Sequence, residues 1–464
     1  METKKPKIGL LGIMQELYDK MYPDITQRQE AYAKDVVARF KDDIEFSFPK
    51  AARNRADIEE IVQGFNQDNE IEAIMVVMLT YGPGLRIVNA FKNNKLPVLL
   101  ANIQPLSVID KNWDMSHLTF NQGIHGAQDT ANALVHLETP FSVVTDDWQS
   151  DSFKQTVLDF AHGARASQNL HSTRIAAFGQ MPGMGDILFD PHHFMRHIGP
   201  QVEHSNIGVI YRLLEEVSHK EVAAVIAENE ANFDIDPKIT QDAHEWAAKL
   251  QIAIQKFLDY NGYKAWNMYF DQIGLDGRFR QIHMMAASNL MAKGYGYGAE
   301  GDALSTSLMC AGYDIAPNPN FTEMYAMDFK EDSILQSHMG EGNWKVARKD
   351  KKPKLIDRPL GIGGLDNPPT VLFQIQAGAA TIASLVSTGS SYRLVVSFGE
   401  ILDTEELPKL EMPYGHYHPH NGVKECMNGW LKNGGTHHQV MHLGDVRNRW
   451  KIFCELSKIE YIEV

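Results

Sequence analysis

KIGLLGIMQELYDKMYPDITQRQEAYAKDVVARFKDDIEFSF, residues 7–48, decides the fold. The opening KIGLLGI follows lysines and so resembles a signal peptide, but the apolar run is short and no small-residue cleavage site follows, so it reads as a first β-strand. Residues 27–40 then space Ala, Val and Phe mostly three and four apart, the period of a helix with one apolar face, and 44–48 return to a strand. Outward from this unit the alternation repeats: a helix over 56–65 and strands over 73–78, 97–103 and 142–145. Strand and helix in alternation predict a parallel sheet covered on both faces. Ligands gather at the carboxyl ends of such strands, which makes the loop carrying Gln15, Leu17 and Tyr18 a candidate site edge.

A second α/β unit is expected from RIAAFG at 174–179. It would continue through IGVIYR (207–212) read as a strand, a helical region over 219–258, a strand near 265–270 and a helix over 281–293. Beyond about residue 320 helical patterns fade, and TVLFQIQAG, ATIASLVS and YRLVVSFGEI read as strands between Gly and Ser turns. ARKDKKPKLIDRP (347–359) reads as an exposed loop, because its charge density cannot be buried unpaired. The expected class is α/β: two Rossmann-like or flavodoxin-like parallel-sheet domains, 1–170 and 171–318, followed by a C-terminal antiparallel β-barrel-like domain, 319–464.

With 464 residues, 44% of them hydrophobic, the chain can bury a core in about three domains. Its 44 basic and 59 acidic residues give a net charge of -15 without a basic cluster, which argues against nucleic acid as a partner. The longest apolar stretch, 71–80, contains Glu72 and is too short to cross a bilayer, so no membrane association is expected. Three widely separated cysteines support neither a disulfide framework nor a Cys-x-x-Cys metal site, and point to the cytoplasm.

GQMPGMGD (179–186) and LGIGGLDN (360–367) are rich in glycine, yet neither ends in Gly-Lys-Ser/Thr nor spaces its glycines as Gly-x-Gly-x-x-Gly, so no nucleotide cofactor is expected. GHYHPHN places His416, His418 and His420 two apart, on one face of an extended strand, where they could chelate a metal or merely shape a loop. HHFMRH (192–197) lacks a suitably placed carboxylate, and His244-Glu245 fails the His-Glu-x-x-His pattern. The strongest set is dispersed: Glu300 in GAEGD, Glu323 in NFTEMY, His338 in QSHMGEG and His437-His438 in NGGTHHQV. Two carboxylates with imidazoles form a mixed oxygen and nitrogen set suited to Mn, Co or another octahedral divalent ion that leaves room for substrate oxygens.

GYGYGAEGD (294–302), FTEMY (321–325), QSHM (336–339), LGIGGLDNP (360–368), ASLVSTGSSYRLVV (383–396), LPKLEMP (407–413) and GGTHHQV (434–440), in this order, resemble the L-arabinose isomerase family within the arabinose/fucose isomerase group. The resemblance implies a divalent metal, Mn²⁺ foremost, on Glu300, Glu323, His338 and His438, with Glu300 and Glu323 as the proton-transfer pair and His437 as an active-site neighbour. It further implies that MQELY contributes Gln15, Leu17 and Tyr18, that NQGIHG contributes Gln122 and His125, and that Met184, Phe270, Tyr325, Met339 and Ile362 line a sugar pocket. A homo-oligomer, with a hexamer as one form, would complete each site from a neighbouring subunit. L-arabinose to L-ribulose is the leading reaction, by an enediol or a hydride shift. GQMPGMGD stands where the family carries Asp-Asn-Met-Arg, and GHYHPHN also departs from it. A fucose-like, galactose-like or 6-substituted (including sulfonated) aldose, or a non-catalytic sugar-binding protein, are the alternatives.

Overall fold

Apolar runs buried on both sides make the inner strands of the parallel sheets in this protein. The computed structural model describes residues 4–361 and 364–464. Two compact units are formed: one runs through Gln168 and takes in Lys451–Leu456, and the other comprises Asn169–Trp450 and Ser457–Val464.

The N-terminal unit holds β1 (Lys7–Ile13), β2 (Glu45–Ser47), β3 (Ala73–Met78), β4 (Val98–Asn102) and β5 (Phe141–Thr145), all parallel, in the order β2-β1-β3-β4-β5. This is the doubly wound, flavodoxin-like order. Every residue of β3 is buried, because the pleat sends alternate side chains to two separate cores. Met75 and Val77 pack with Val36, Phe40 and Phe160, whereas Ile74 and Val76 pack with Ile58, Val62 and Phe65. At the carboxyl edge the Gln15 amide donates to Thr80 Oγ1 at 3.3 Å, and Arg86 Nη2 donates to Gln15 Oε1 at 3.4 Å. A Cβ on Gly123 would lie 2.3 Å from the Met78 carbonyl oxygen, so only glycine lets the helix that starts there, carrying His125 just beyond Gln122, approach the end of β3.

The second unit begins with β6 (Arg174–Phe178), β7 (Gln201–His204), the two-residue β8 (Asp234–Ile235), β9 (Ala265–Met268) and β10 (Gly296–Ala299). β10-β9-β6-β7 form a parallel sheet. The expected strand at 207–212 is instead the helix Gly208–Leu214: Ile207, Ile210 and Leu214 are buried three and four apart, so the helical period prevails over β-branched composition. The glycine-rich 294–302, in turn, contains β10, whose Gly296 and Gly298 allow close packing against the helix Ala303–Ile315.

The remaining strands are β11 (Asn320–Asp328), β12 (Ser333–Ser337), β13 (Lys354–Asp357), β14 (Pro369–Leu372), β15 (Gly378–Ser387), β16 (Tyr392–Leu402), β17 (Tyr414–Pro419), β18 (His438–Leu443) and β19 (Glu460–Glu463). Antiparallel pairing runs β15-β18-β11-β12-β17-β16 and returns to β15, a closed barrel, with β19 added in parallel to the start of β16. Closure leaves no unpaired edge around the ring. The stretch 347–359 is not wholly loop: β13 pairs with β14 and β8, and Leu355 is buried. Helices persist here as well, because Val423, Cys426 and Trp430 space a buried stripe along Gly422–Lys432.

Candidate active site

Three local devices bring the dispersed polar residues together. Glu300 leaves the carboxyl end of β10 with φ 60°, followed by Gly301 at φ 85°. A Cβ on Gly301 would stand 2.3 Å from the Gly179 carbonyl oxygen, so glycine is required, and the Met181 amide donates to the Glu300 carbonyl at 2.8 Å. Second, Glu323 lies on β11 between two partners, opposite Ser337 of β12 and His438 of β18. This register delivers His438 directly and His338, one residue past Ser337, to either side of Glu323. Third, Phe321 packs its ring 4.8 Å from that of His338 and 4.9 Å from that of His438, holding both imidazoles in place.

Nε2 of His438 is 3.5 Å from Glu300 Oε2 and 3.6 Å from Glu323 Oε1, while Nε2 of His338 is 3.9 Å from Glu323 Oε2. His437 Nε2 lies 3.7 Å from Glu300 and 3.8 Å from Glu323. The far nitrogen of each ring is tied to another carboxylate: His338 to Glu341 at 2.7 Å, His438 to Asp302 at 2.9 Å and His437 to Asp186 at 2.6 Å. Asp302 also caps the helix that begins at Ala303, accepting from the Ser305 amide, so one side chain fixes both a helix start and a ring.

Carboxylates outnumber imidazoles in this cluster. Burial alone would raise the Glu300 carboxyl, but His437 and His438 outweigh it and bring it down to about 2. Burial likewise opposes charge on His437 and His438, and the surrounding carboxylates overcome it, lifting them to about 10 and about 9. Five carboxylates surrounding three imidazoles therefore favour positive charge at their centre. Among the described residues, Glu300, His437 and His438, and Glu323, His338 and His438, form the two groups of donors able to share one ion. Glu300 Oε2, His437 Nε2 and His438 Nε2 are buried without a hydrogen-bond partner, and carboxylate-anchored histidines are what metal sites use. The donors fit a divalent cation with mixed oxygen and nitrogen ligation.

Beside the cluster lies a cavity of about 250 Å³, walled by Glu300, Glu323 and His338 and by Met181, Phe270, Ile282, His283, Tyr325 and Met339 among others. Family models for the L-arabinose isomerase N-terminal, central and C-terminal domains match residues 3–172, 193–316 and 318–460 in turn. The chain belongs to the L-arabinose isomerase family. It is thus of the aldose–ketose isomerases, the intramolecular oxidoreductases. Relatives named L-arabinose isomerase are 28% identical in Clostridium beijerinckii (94% of this chain, 90% of that one) and 27% in Yersinia enterocolitica (86% and 81%). Another, in Mannheimia succiniciproducens, is 24% identical over 96% of this chain and 92% of that one. A solved periplasmic sugar-binding protein from Legionella pneumophila aligns at a TM-score of 0.15 and 12% identity over 67% of this chain and 93% of that one, which carries no weight.

The residues that the isomerase resemblance singles out fall into separate places. Glu300, Glu323, His338, His437 and His438 are gathered in the cluster, and Phe270, Tyr325 and Met339 line the cavity. Met184 is half-buried in the loop after β6 and is not part of the lining, which Met181 of the same loop supplies. Gln15, Leu17, Tyr18, Gln122 and His125 stand at the carboxyl edge of the N-terminal sheet. Ile362 lies outside the described residues. His416 and His418 share a face of β17 but join neither donor group, and His418 Nδ1 bonds to the Asp332 carbonyl at 2.6 Å.

Sequence reasoning passed over the three anchoring carboxylates. Asp302 and Glu341 lie two and three residues beyond Glu300 and His338, so a search for a carboxylate next to each ligand would have found them. Asp186 is 251 residues from His437, and no local signal connects the two.

Proposed function

We propose that this chain is a metal-dependent L-arabinose isomerase that converts L-arabinose to L-ribulose by moving a proton between C1 and C2 of the open-chain sugar. The observation that carries the reading is the pair of carboxylates, Glu300 and Glu323, which approach one His438 nitrogen at 3.5 and 3.6 Å and open onto the cavity. The curated relatives' name supports the sugar.

In the enediol route one carboxylate of the pair takes the C2 proton and the other manages delivery at C1 and its oxygen. Glu300 is held ionised at neutral pH by the neighbouring imidazoles. His437, anchored by Asp186 and facing both glutamates, is placed to donate a hydrogen bond to either carboxylate or to a sugar oxygen. Glu300, Glu323, His338 and His438 would hold the divalent ion, Mn²⁺ foremost, which when bound stabilises negative charge on two adjacent sugar oxygens. Phe270 offers a ring face to the apolar side of the sugar, and Tyr325 a hydroxyl to its polar side.

The same reading divides the chain at 1–170, 171–318 and 319–464 and makes it a homo-oligomer. Gln15, Leu17, Tyr18, Gln122 and His125 would then face the sugar of a neighbouring copy, which native mass spectrometry tests through the assembly mass. Cys310, Cys426 and Cys454 are all free thiols, which supports a reducing compartment, the cytoplasm. No helix among the described residues is long and apolar enough to cross a membrane.

The deciding experiment measures ketose formation from a panel of aldoses with metal-stripped protein resupplied with Mn²⁺. Metal-dependent turnover of L-arabinose is the expected result. Selective turnover of another aldose would reassign the substrate, and binding of a sugar without any turnover would overturn the isomerase.

A further inference from the structure

A buried chain of hydrogen bonds runs along the cavity wall, starting from His338. His338 Nδ1 meets Glu341 Oε2 at 2.7 Å, the Tyr297 hydroxyl donates to Glu341 Oε1 at 2.7 Å, and Tyr297 meets His283 Nε2 at 3.0 Å. All four side chains are buried and all four line the cavity. The chain's far end is unpaired: His283 Nδ1 is buried and has no hydrogen-bond partner.

The direction of these bonds follows from donor counting. A carboxylate only accepts, so the one hydroxyl proton of Tyr297 is committed to Glu341. The Tyr297 oxygen can therefore only accept from His283, which places hydrogen on Nε2. Burial depresses the His283 imidazole to about 4, so the ring is neutral and Nδ1 is a bare lone pair. Edge contacts with Trp266 at 5.2 Å and Tyr297 at 5.9 Å hold the ring in its place. An orphaned buried acceptor is destabilising unless a donor reaches it, and a sugar supplies hydroxyl donors.

We propose that His283 is a substrate-binding residue whose Nδ1 accepts a hydrogen bond from one hydroxyl of the sugar, with Tyr297 and Glu341 fixing the tautomer that leaves this acceptor free. The proposal rests on the isomerase reading for the identity of the ligand. It makes His283 a discriminator between sugars, since a site built to bond a hydroxyl rejects the analogue that lacks it.

The test compares wild type, His283→Gln and His283→Asn, each supplied with Mn²⁺. Calorimetry measures binding of L-arabinitol and its single-deoxy derivatives, and kcat/KM is read for L-arabinose. The glutamine amide reaches the Nε2 position and keeps the bond to Tyr297 while losing the acceptor at Nδ1; the asparagine amide keeps an acceptor near Nδ1. His283→Gln is expected to weaken L-arabinitol roughly tenfold or more, to bind one deoxy derivative as well as wild type does, and to keep its unfolding temperature. His283→Asn should recover part of the loss. Equal weakening toward every polyol, or none, would overturn the proposal. If His283→Gln does not fold, Tyr297→Phe, which releases the tautomer, must show the same hydroxyl-selective loss, and a uniform loss overturns it. Wild type that binds L-arabinitol but isomerises no aldose would remove the enzyme reading while the deoxy series still decides His283. Wild type that does neither overturns both.

Discussion

β17 and β18 are the two histidine-dense strands of one barrel, and they have opposite fates. On β17, His416 and His418 share a face as the two-residue spacing predicts, but His418 spends Nδ1 on a backbone carbonyl, and burial lowers His416 against the opposing charge of Asp328. On β18 and the residue before it, His437 and His438 are adjacent, which in a regular strand would send them to opposite faces. They converge because His437 lies outside the strand and is drawn to Asp186 by both its amide, at 3.0 Å, and its ring. What separates His437 and His438 from the β17 pair is a carboxylate on the far nitrogen and an unpartnered near nitrogen, a pattern that sequence spacing does not encode.

The comparison breaks most readily at the carboxylates that only the second strand meets. Glu300→Gln or Glu323→Gln should lower kcat by about 10²- to 10⁴-fold, as expected for lost proton transfer, whereas His416→Gln should leave turnover within about twofold, since His416 joins neither donor group nor the cavity lining. A steady-state assay on the three variants decides it. Comparable losses in all three would mean that β17 belongs to the site.

Removing an anchor without removing a ligand should cost less. Asp302→Asn is expected to weaken Mn²⁺ binding about 10- to 100-fold, read by metal titration, and unchanged affinity would show that ring anchoring is irrelevant here. Smaller still is the pH response of metal-stripped protein. His437 and His438 are raised to about 10 and about 9, so their contribution to stability is complete below the ordinary imidazole value of 6.5 and is lost as pH rises through 9 and 10. Glu300 is lowered to about 2, so its contribution is present above 4.5 and is lost as pH falls toward 2. Unfolding temperature of the stripped protein should therefore decline from neutral pH toward 10, and Mn²⁺ should flatten that decline. The least effect is expected from His418→Ala, about 1 kcal/mol of stability for one hydrogen bond to a carbonyl, measured by urea unfolding, with turnover unchanged.

Much of the scaffold was legible because it rests on local periodicity. The N-terminal strands emerge as read, since a parallel sheet covered on both faces needs unbroken apolar runs between amphipathic helices. The reading failed where two periods compete within a few residues: IGVIYR satisfies strand composition, yet its buried positions follow a helix. It offered no strand where glycine stands for close packing, as in β10, because packing distance is not written in a propensity.

Sequence by itself determined the chemistry available: two glutamates and three histidines, in an order that marks their family. Tertiary structure alone decided how they are arranged. The register of β11 between β12 and β18 sets Glu323 against both imidazoles, and the left-handed turn at Glu300 aims the second carboxylate at them. Asp186 reaches His437 across 251 residues, and His283, a residue of the cavity wall, is left with one buried nitrogen unpaired. Hydrogen-bond partners and buried charges are set by distances between segments remote in sequence, which only the closed barrel and its neighbouring parallel sheet bring within reach.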